Sequence, residues 1–247
     1  MRRASQVAPA ATVRPKMPDT LVRAEPPTMP DDVPALVKPL LRGWSHVVSF
    51  IVVLILGLLL LALTSATRGG QLLLVVYLLG LLSMFGVSAC YHRGRWSVRA
   101  LANWRRMDHS TIFLAIAGAY TPVTVAALDG WQATTVLVVV WSGAVIGITL
   151  QWVPVHVPRA AFTAVYVVVG WSFSIALPEL YRGLGPLGFS LLLGGGLAYT
   201  AGAVVYALKR PDPWPSVFGY HEVFHLFTVI GAGLHFAAIA FVVSPML

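Results

Sequence analysis

From about residue 44 onward the sequence is a succession of apolar runs, each about 20 residues long, separated by short polar breaks. A helix of that length spans the hydrocarbon core of a bilayer. Seven such runs are predicted, at about 44–65, 71–92, 109–127, 132–151, 160–178, 187–208 and 219–243. The breaks carry turn or charge signals: Arg68-Gly69-Gly70, the basic stretch 93–106, Asp129-Gly130, Pro154 to Pro158, Glu179 to Pro186 and Lys209 to Pro215. The fifth run has the least defined boundary, and no repeat of fixed period is visible. The expected fold is therefore all-α: a polytopic membrane domain of seven transmembrane helices over residues 43–247.

Residues 1–42 read differently. They hold 8 of the 17 prolines, with seven Lys/Arg against four Asp/Glu. This composition predicts a disordered, Pro-rich, basic tail, to which the sequence assigns no partner. No apolar stretch within it is long enough for a signal-peptide core. Arg2-Arg3 has the form of a twin-arginine signal, but the next apolar run begins only at about residue 47.

Composition narrows the class. The chain is 57% hydrophobic and 11% charged, where soluble domains carry roughly 25% charged residues. This excludes an ordinary water-soluble enzyme and a wholly disordered chain. The net charge of +8 does not make a nucleic-acid binder, because the cations sit in the tail and in the links rather than on one solvated face. A single cysteine, Cys90, excludes an internal disulfide framework. Charge also predicts orientation. With the amino terminus in the cytoplasm, the inner links hold Arg93, Arg95, Arg99, Arg105, Arg106, Arg159, Lys209 and Arg210, and the outer ones hold only Arg68 and Arg182. That asymmetry satisfies the positive-inside rule and puts the carboxyl terminus outside, in a multi-pass protein of the plasma membrane.

Ionisable residues inside spans are costly and mark function by default. Span counting brings several of them to one depth near the cytoplasmic leaflet: His92 ends the second span, Asp108 starts the third, and His221, Glu222 and His225 lie in the first turns of the seventh. His46 and His109 lie at a similar depth. His221 and His225 are spaced i, i+4 and share one helix face, as do Ser88 and His92. Three neutral imidazoles with an open fourth position suit a catalytic zinc. Interfacial or hydrogen-bonded histidines are the competing reading, and the stronger one for His46, His109 and His156 taken singly. Asp108 alone could be a helix N-cap or a partner for nearby arginines. Cys90 faces away from His92. His235, ten residues past His225 and so about 15 Å along the axis, cannot reach the same ion. The segment His221-Glu222-Val223-Phe224-His225 also matches HExxH, a zinc-protease motif. However, no Asp or Glu follows Glu222, Thr228 and Gly231 break the longer HExxHxxGxxH form, and Leu128-Asp129-Gly130 comes too early for an intramembrane protease.

Taken together, these motifs resemble a known family. Ser88-Ala89-Cys90-Tyr91-His92, Met107-Asp108-His109-Ser110, Gly118-Ala119-Tyr120-Thr121-Pro122 and His221-Glu222-Val223-Phe224-His225, with His235 beyond, look like a bacterial hemolysin III protein. Arg42-Gly43-Trp44-Ser45-His46 fits the start of that family's first span. The family is similar to the progestin and adipoQ (adiponectin) receptors and, more distantly, to alkaline ceramidases. The resemblance covers residues 40–247. It implies seven helices, a cytoplasmic amino terminus and a Zn2+ ion near the inner leaflet held by His92, His221 and His225. Asp108 would hold or activate the water on the zinc, and Ser88 would hydrogen-bond that water or a substrate carbonyl. The receptors carry glutamine at the position of Glu222, so the resemblance gives Glu222 no base role. His235, His109 and His46 are secondary candidates.

Three functions follow as expectations. The first is a zinc-dependent hydrolase of a lipid amide or ester, with a membrane lipid as substrate. The second is a membrane-homeostasis or sensor protein with a structural zinc. The third is a pore-forming, hemolysin-like channel.

Overall fold

The computed structural model describes residues 38–153 and 159–247; the predicted tail through residue 37, and His156, lie outside the described residues. The described chain is all-helical apart from one isolated bridge, Trp214 to Phe218. The helices are α1 (Trp44–Leu63), α2 (Arg68–Arg93), α3 (Val98–Ala127), α4 (Gly130–Trp152), α5 (Arg159–Gly170), α6 (Leu177–Leu208) and α7 (Tyr220–Ala238). A short 3-10 turn, Ser172–Ala176, joins α5 to α6, and α7 runs on through a π-turn, Ile239–Val243. Among the described residues, six helical stretches are long and apolar enough to cross a membrane, with α5 and α6 falling in one 48-residue stretch, Ala161–Leu208.

The apolar runs become helices with one face inward and the other bare. Tyr77, Phe85, Phe113, Val136, Val140 and Ile239 are fully buried, whereas Val48, Ile51, Ile55, Val138, Val145 and Ile146 are exposed. Exposed aliphatic rows of this kind suit a hydrocarbon solvent. α3 is the central helix: its most apolar stretch is 56% buried, against 22% for α1 and α4. It packs closely on α2, because a Cβ at Gly80 would lie 2.6 Å from the Leu114 carbonyl oxygen. Small residues allow such backbone approach between membrane helices.

Two boundaries depart from expectation. α3 begins at Val98 rather than about residue 109, because the Ser97 hydroxyl accepts from Ala100 N–H and caps a helical stretch rich in Ala, Leu and Arg. Asp108 therefore lies well inside a helix; it is neither a span start nor an N-cap. The second departure is at Glu179 to Pro186, expected to be a break. It is helical except at Gly185, whose φ is +66, and the clearer interruption falls earlier, at 171–176. There the Tyr120 hydroxyl donates to Gly170 O at 2.7 Å and accepts from Phe173 N–H at 3.0 Å. A side chain from α3 thus satisfies backbone groups that the interruption releases, which span counting could not reveal.

Candidate metal centre

The last turn of α2 and the first turns of α7 meet at one end of the bundle. His92 comes from the former, His221 and His225 from the latter. One ligating atom from each lies within 4.8 Å of the others, and the two Nε2 atoms of His92 and His221 are 3.3 Å apart. Two nitrogens bound about 2.1 Å from a tetrahedral ion stand roughly 3.4 Å apart, so that pair already has the spacing a metal requires. His92 and His225 are buried and His221 is half-buried. Neutral imidazoles are good ligands for borderline divalent ions such as zinc, and this group could hold one.

Ser88 and Asp108 stand beside them. Ser88 is one turn before His92 on the same face of α2, and its side chain lies next to that of Asp108 on α3. His221, His225, Ser88 and Asp108 all line one cavity of about 170 Å³. The carboxylate and two of the three imidazoles therefore share one cavity.

The secondary candidates separate on geometry. His46, at the start of α1, is buried and stacks on His225 with ring centroids 3.9 Å apart and planes 19° from parallel. A metal lies close to the plane of the imidazole that binds it, at about 2.1 Å. An ion in the His225 plane is thus too far from the stacked His46 plane to be shared. Among the described residues, neither His46 ring nitrogen has a hydrogen-bond partner, and the residue also lines the cavity. His109 lines the cavity too, and its carbonyl accepts from the Tyr166 hydroxyl. His235 is in the cavity wall away from the three-histidine group, its Nε2 donating to Leu192 O at 3.1 Å. Cys90 is exposed. The sequence reading missed Tyr206, which lines the cavity with its ring 5.6 Å from that of His221; a tyrosine in an apolar span carries no spacing signal. It also missed the partner of Glu222, which is Arg42. Outside the spans, burial and then the guanidiniums of Arg93 and Arg42 lower the pKa of Lys38 from its ordinary value, marking a crowd of cations at this end.

Comparison with known proteins settles the family. The sequence model of the family described as haemolysin-III related matches residues 35–236. The chain belongs to that family. This haemolysin-III-related chain is 36% identical over 139 residues to Hemolysin-3 of Bacillus cereus, covering 56% of this chain and 61% of that one. It is 37% identical over 135 residues to the Hemolysin-3 homolog of Bacillus subtilis (strain 168), covering 55% and 61%. The match thus spans about three fifths of the length of these Bacillus relatives. A plant relative, the heptahelical transmembrane protein ADIPOR2 of Oryza sativa subsp. japonica, is 30% identical over 189 residues, covering 67% of this chain and 79% of that one. The expected kinship with hemolysin III proteins and adiponectin receptors holds. With its apolar helices, this haemolysin-III-related chain is a multi-pass integral protein of the cell membrane.

Proposed function

We propose that the chain is a zinc-dependent hydrolase of a membrane lipid amide or ester, with His92, His221 and His225 as the zinc ligands. The carrying observation is that two of those histidines open onto the same cavity as the neighbouring Ser88 and Asp108 side chains. When bound, a zinc ion supplies Lewis acidity toward a carbonyl and acidifies water. The Asp108 carboxylate takes up a proton at one oxygen and returns it to the leaving group. The Ser88 hydroxyl, with one proton to donate, orients that carboxylate in the resting site and turns to a substrate carbonyl when one enters. The apolar remainder of the cavity wall, with Met84, Ile112 and Ile116 among it, suits a lipid better than a polar solute.

The reading includes seven passes with a cytoplasmic amino terminus. The 48-residue stretch Ala161–Leu208 would run about 72 Å as one helix, more than twice the roughly 30 Å hydrocarbon core. It therefore crosses twice, and the metal site falls at the cytoplasmic leaflet.

One observation favours a second reading, a zinc that only ties α2 to α7: His92 and His225 are each at most 5% exposed. Elemental analysis of detergent-purified protein, followed by turnover of lipid amides and esters, separates the two. About one zinc per chain is expected, lost in His221→Ala/His225→Ala. Asp108→Ala is expected to keep the zinc and lose turnover. Full turnover in Asp108→Ala overturns its role, and zinc without turnover on any lipid amide or ester leaves the structural reading. Ion flux in liposomes that ignores Asp108 would instead support a pore.

A further inference from the structure

Glu222 sits between the two α7 histidines in sequence, is 4% exposed, and does not line the cavity they share. A carboxylate buried this deeply needs partners for its charge. Both of its oxygens have them. Oε2 accepts from Gly219 N–H at 2.8 Å, closing the first turn of α7, and Oε1 receives the Arg42 guanidinium through Nε. With both oxygens engaged away from the cavity, Glu222 is a strut and not a base.

Arg42 belongs to the short segment that precedes α1, and that segment is tied down at several points. Leu40 N–H donates to Ser216 O at 3.0 Å and Leu41 N–H to Val217 O at 3.1 Å, joining it to the link before α7. Gly43 has φ +81, and a Cβ there would lie 2.6 Å from the His92 Cβ. The left-handed backbone and the close approach both require glycine. Next to it, the Arg93 guanidinium lies 4.6 Å over the Trp44 ring. Residues 40–44 therefore touch both helices that carry the three histidines: α2 at His92 and Arg93, α7 at Glu222.

We propose that residues 40–43 form a strap across this end of the bundle, and that Arg42 and Glu222 are positioning residues that hold the α2 and α7 histidines in register and slow metal escape. The inference rests on the metal-site reading above and adds residues to it that no ligand motif requires. Supporting groups behind metal ligands are typically worth about 10- to 100-fold in affinity.

The test measures zinc release from full-length, detergent-purified protein into excess chelator, read with a chromogenic zinc indicator. Glu222→Gln keeps an oxygen for Gly219 N–H and loses the ion pair; Arg42→Gln removes the other partner. Each is expected to release zinc about 10- to 100-fold faster, and the double variant no faster than either single, because the two act as one unit. Leu40→Pro removes the donor to Ser216 O at an exposed position outside the ligand set. It is expected to speed release several-fold without shifting the melting temperature of the zinc-free protein, a combination a general loss of stability would not produce. A wild type that takes up no zinc overturns the metal-site reading and the strap with it. Zinc bound by the wild type and released at the same rate by all three single variants overturns the strap alone.

Discussion

His46 stacks face to face on His225 while its edge meets the Phe85 ring at 5.0 Å. The stack restricts rotation of the His225 ring and so keeps its lone pair aimed at the cluster. Removing the ring is therefore expected to weaken zinc binding even though His46 cannot be a ligand. His46→Ala should lower zinc affinity about tenfold, and His46→Phe, which keeps a flat ring, should recover most of it. Competition titration with a zinc indicator checks both, and an affinity as low in His46→Phe as in His46→Ala would point to a polar role for the unpartnered nitrogens instead. At this scale the sequence was legible where spacing carried the signal. The i, i+4 pairs Ser88/His92 and His221/His225 announced a shared face, and the end of one span with the start of another announced a shared depth. What spacing cannot carry is contact between segments far apart in the chain. Arg42 and Glu222 are 180 residues apart, and the stacking of His46 on His225 depends on the rotation of α1 about its own axis.

Among the elements, the α5–α6 region shows why boundaries were less legible than spans. Apolar runs predict that helix exists, but where a helix may be interrupted depends on what meets the freed backbone. Tyr120 meets it here, donating to Gly170 O and accepting from Phe173 N–H, and Trp171 Nε1 donates to Thr200 at 2.9 Å, holding the junction against α6. Tyr120→Phe removes one hydroxyl and leaves two backbone groups without it in a region shielded from water. A loss of about 1–3 kcal/mol is expected for each buried polar group left unpaired. In thermal unfolding in detergent, Tyr120→Phe should melt below wild type, with the zinc content of the folded protein unchanged. An unchanged melting temperature would mean that the junction is satisfied another way. The same reasoning accounts for α3. Its early start was hidden because Arg99, Arg105 and Arg106 make the first turns polar, and hydropathy ends a span where a helix continues into the interface.

For the whole molecule, the number of passes turns on the stretch Ala161–Leu208. A single crossing would leave Arg182, whose side chain is 75% exposed, facing hydrocarbon, and an arginine at the bilayer centre costs about 2.5–3.5 kcal/mol on insertion scales. It would also turn the basic link at Lys209 and Arg210 to the outside, against the positive-inside rule. Two crossings would avoid both costs, with Arg182 at the outer surface and Lys209 and Arg210 beside the other inner cations. The lone cysteine makes this measurable. In a Cys90→Ser background, a membrane-impermeant maleimide applied to intact cells should label Arg182→Cys, whereas Ser216→Cys, on the link before α7, should label only after permeabilisation. A single crossing predicts the reverse at residue 216 and protection at residue 182. The outcome also bears on chemistry, because the link carrying Ser216 leads directly into the turn of α7 that bears His221. If residue 216 is cytoplasmic, so is the mouth of the metal centre, and the zinc supply and the headgroup of any substrate lipid come from the inner leaflet.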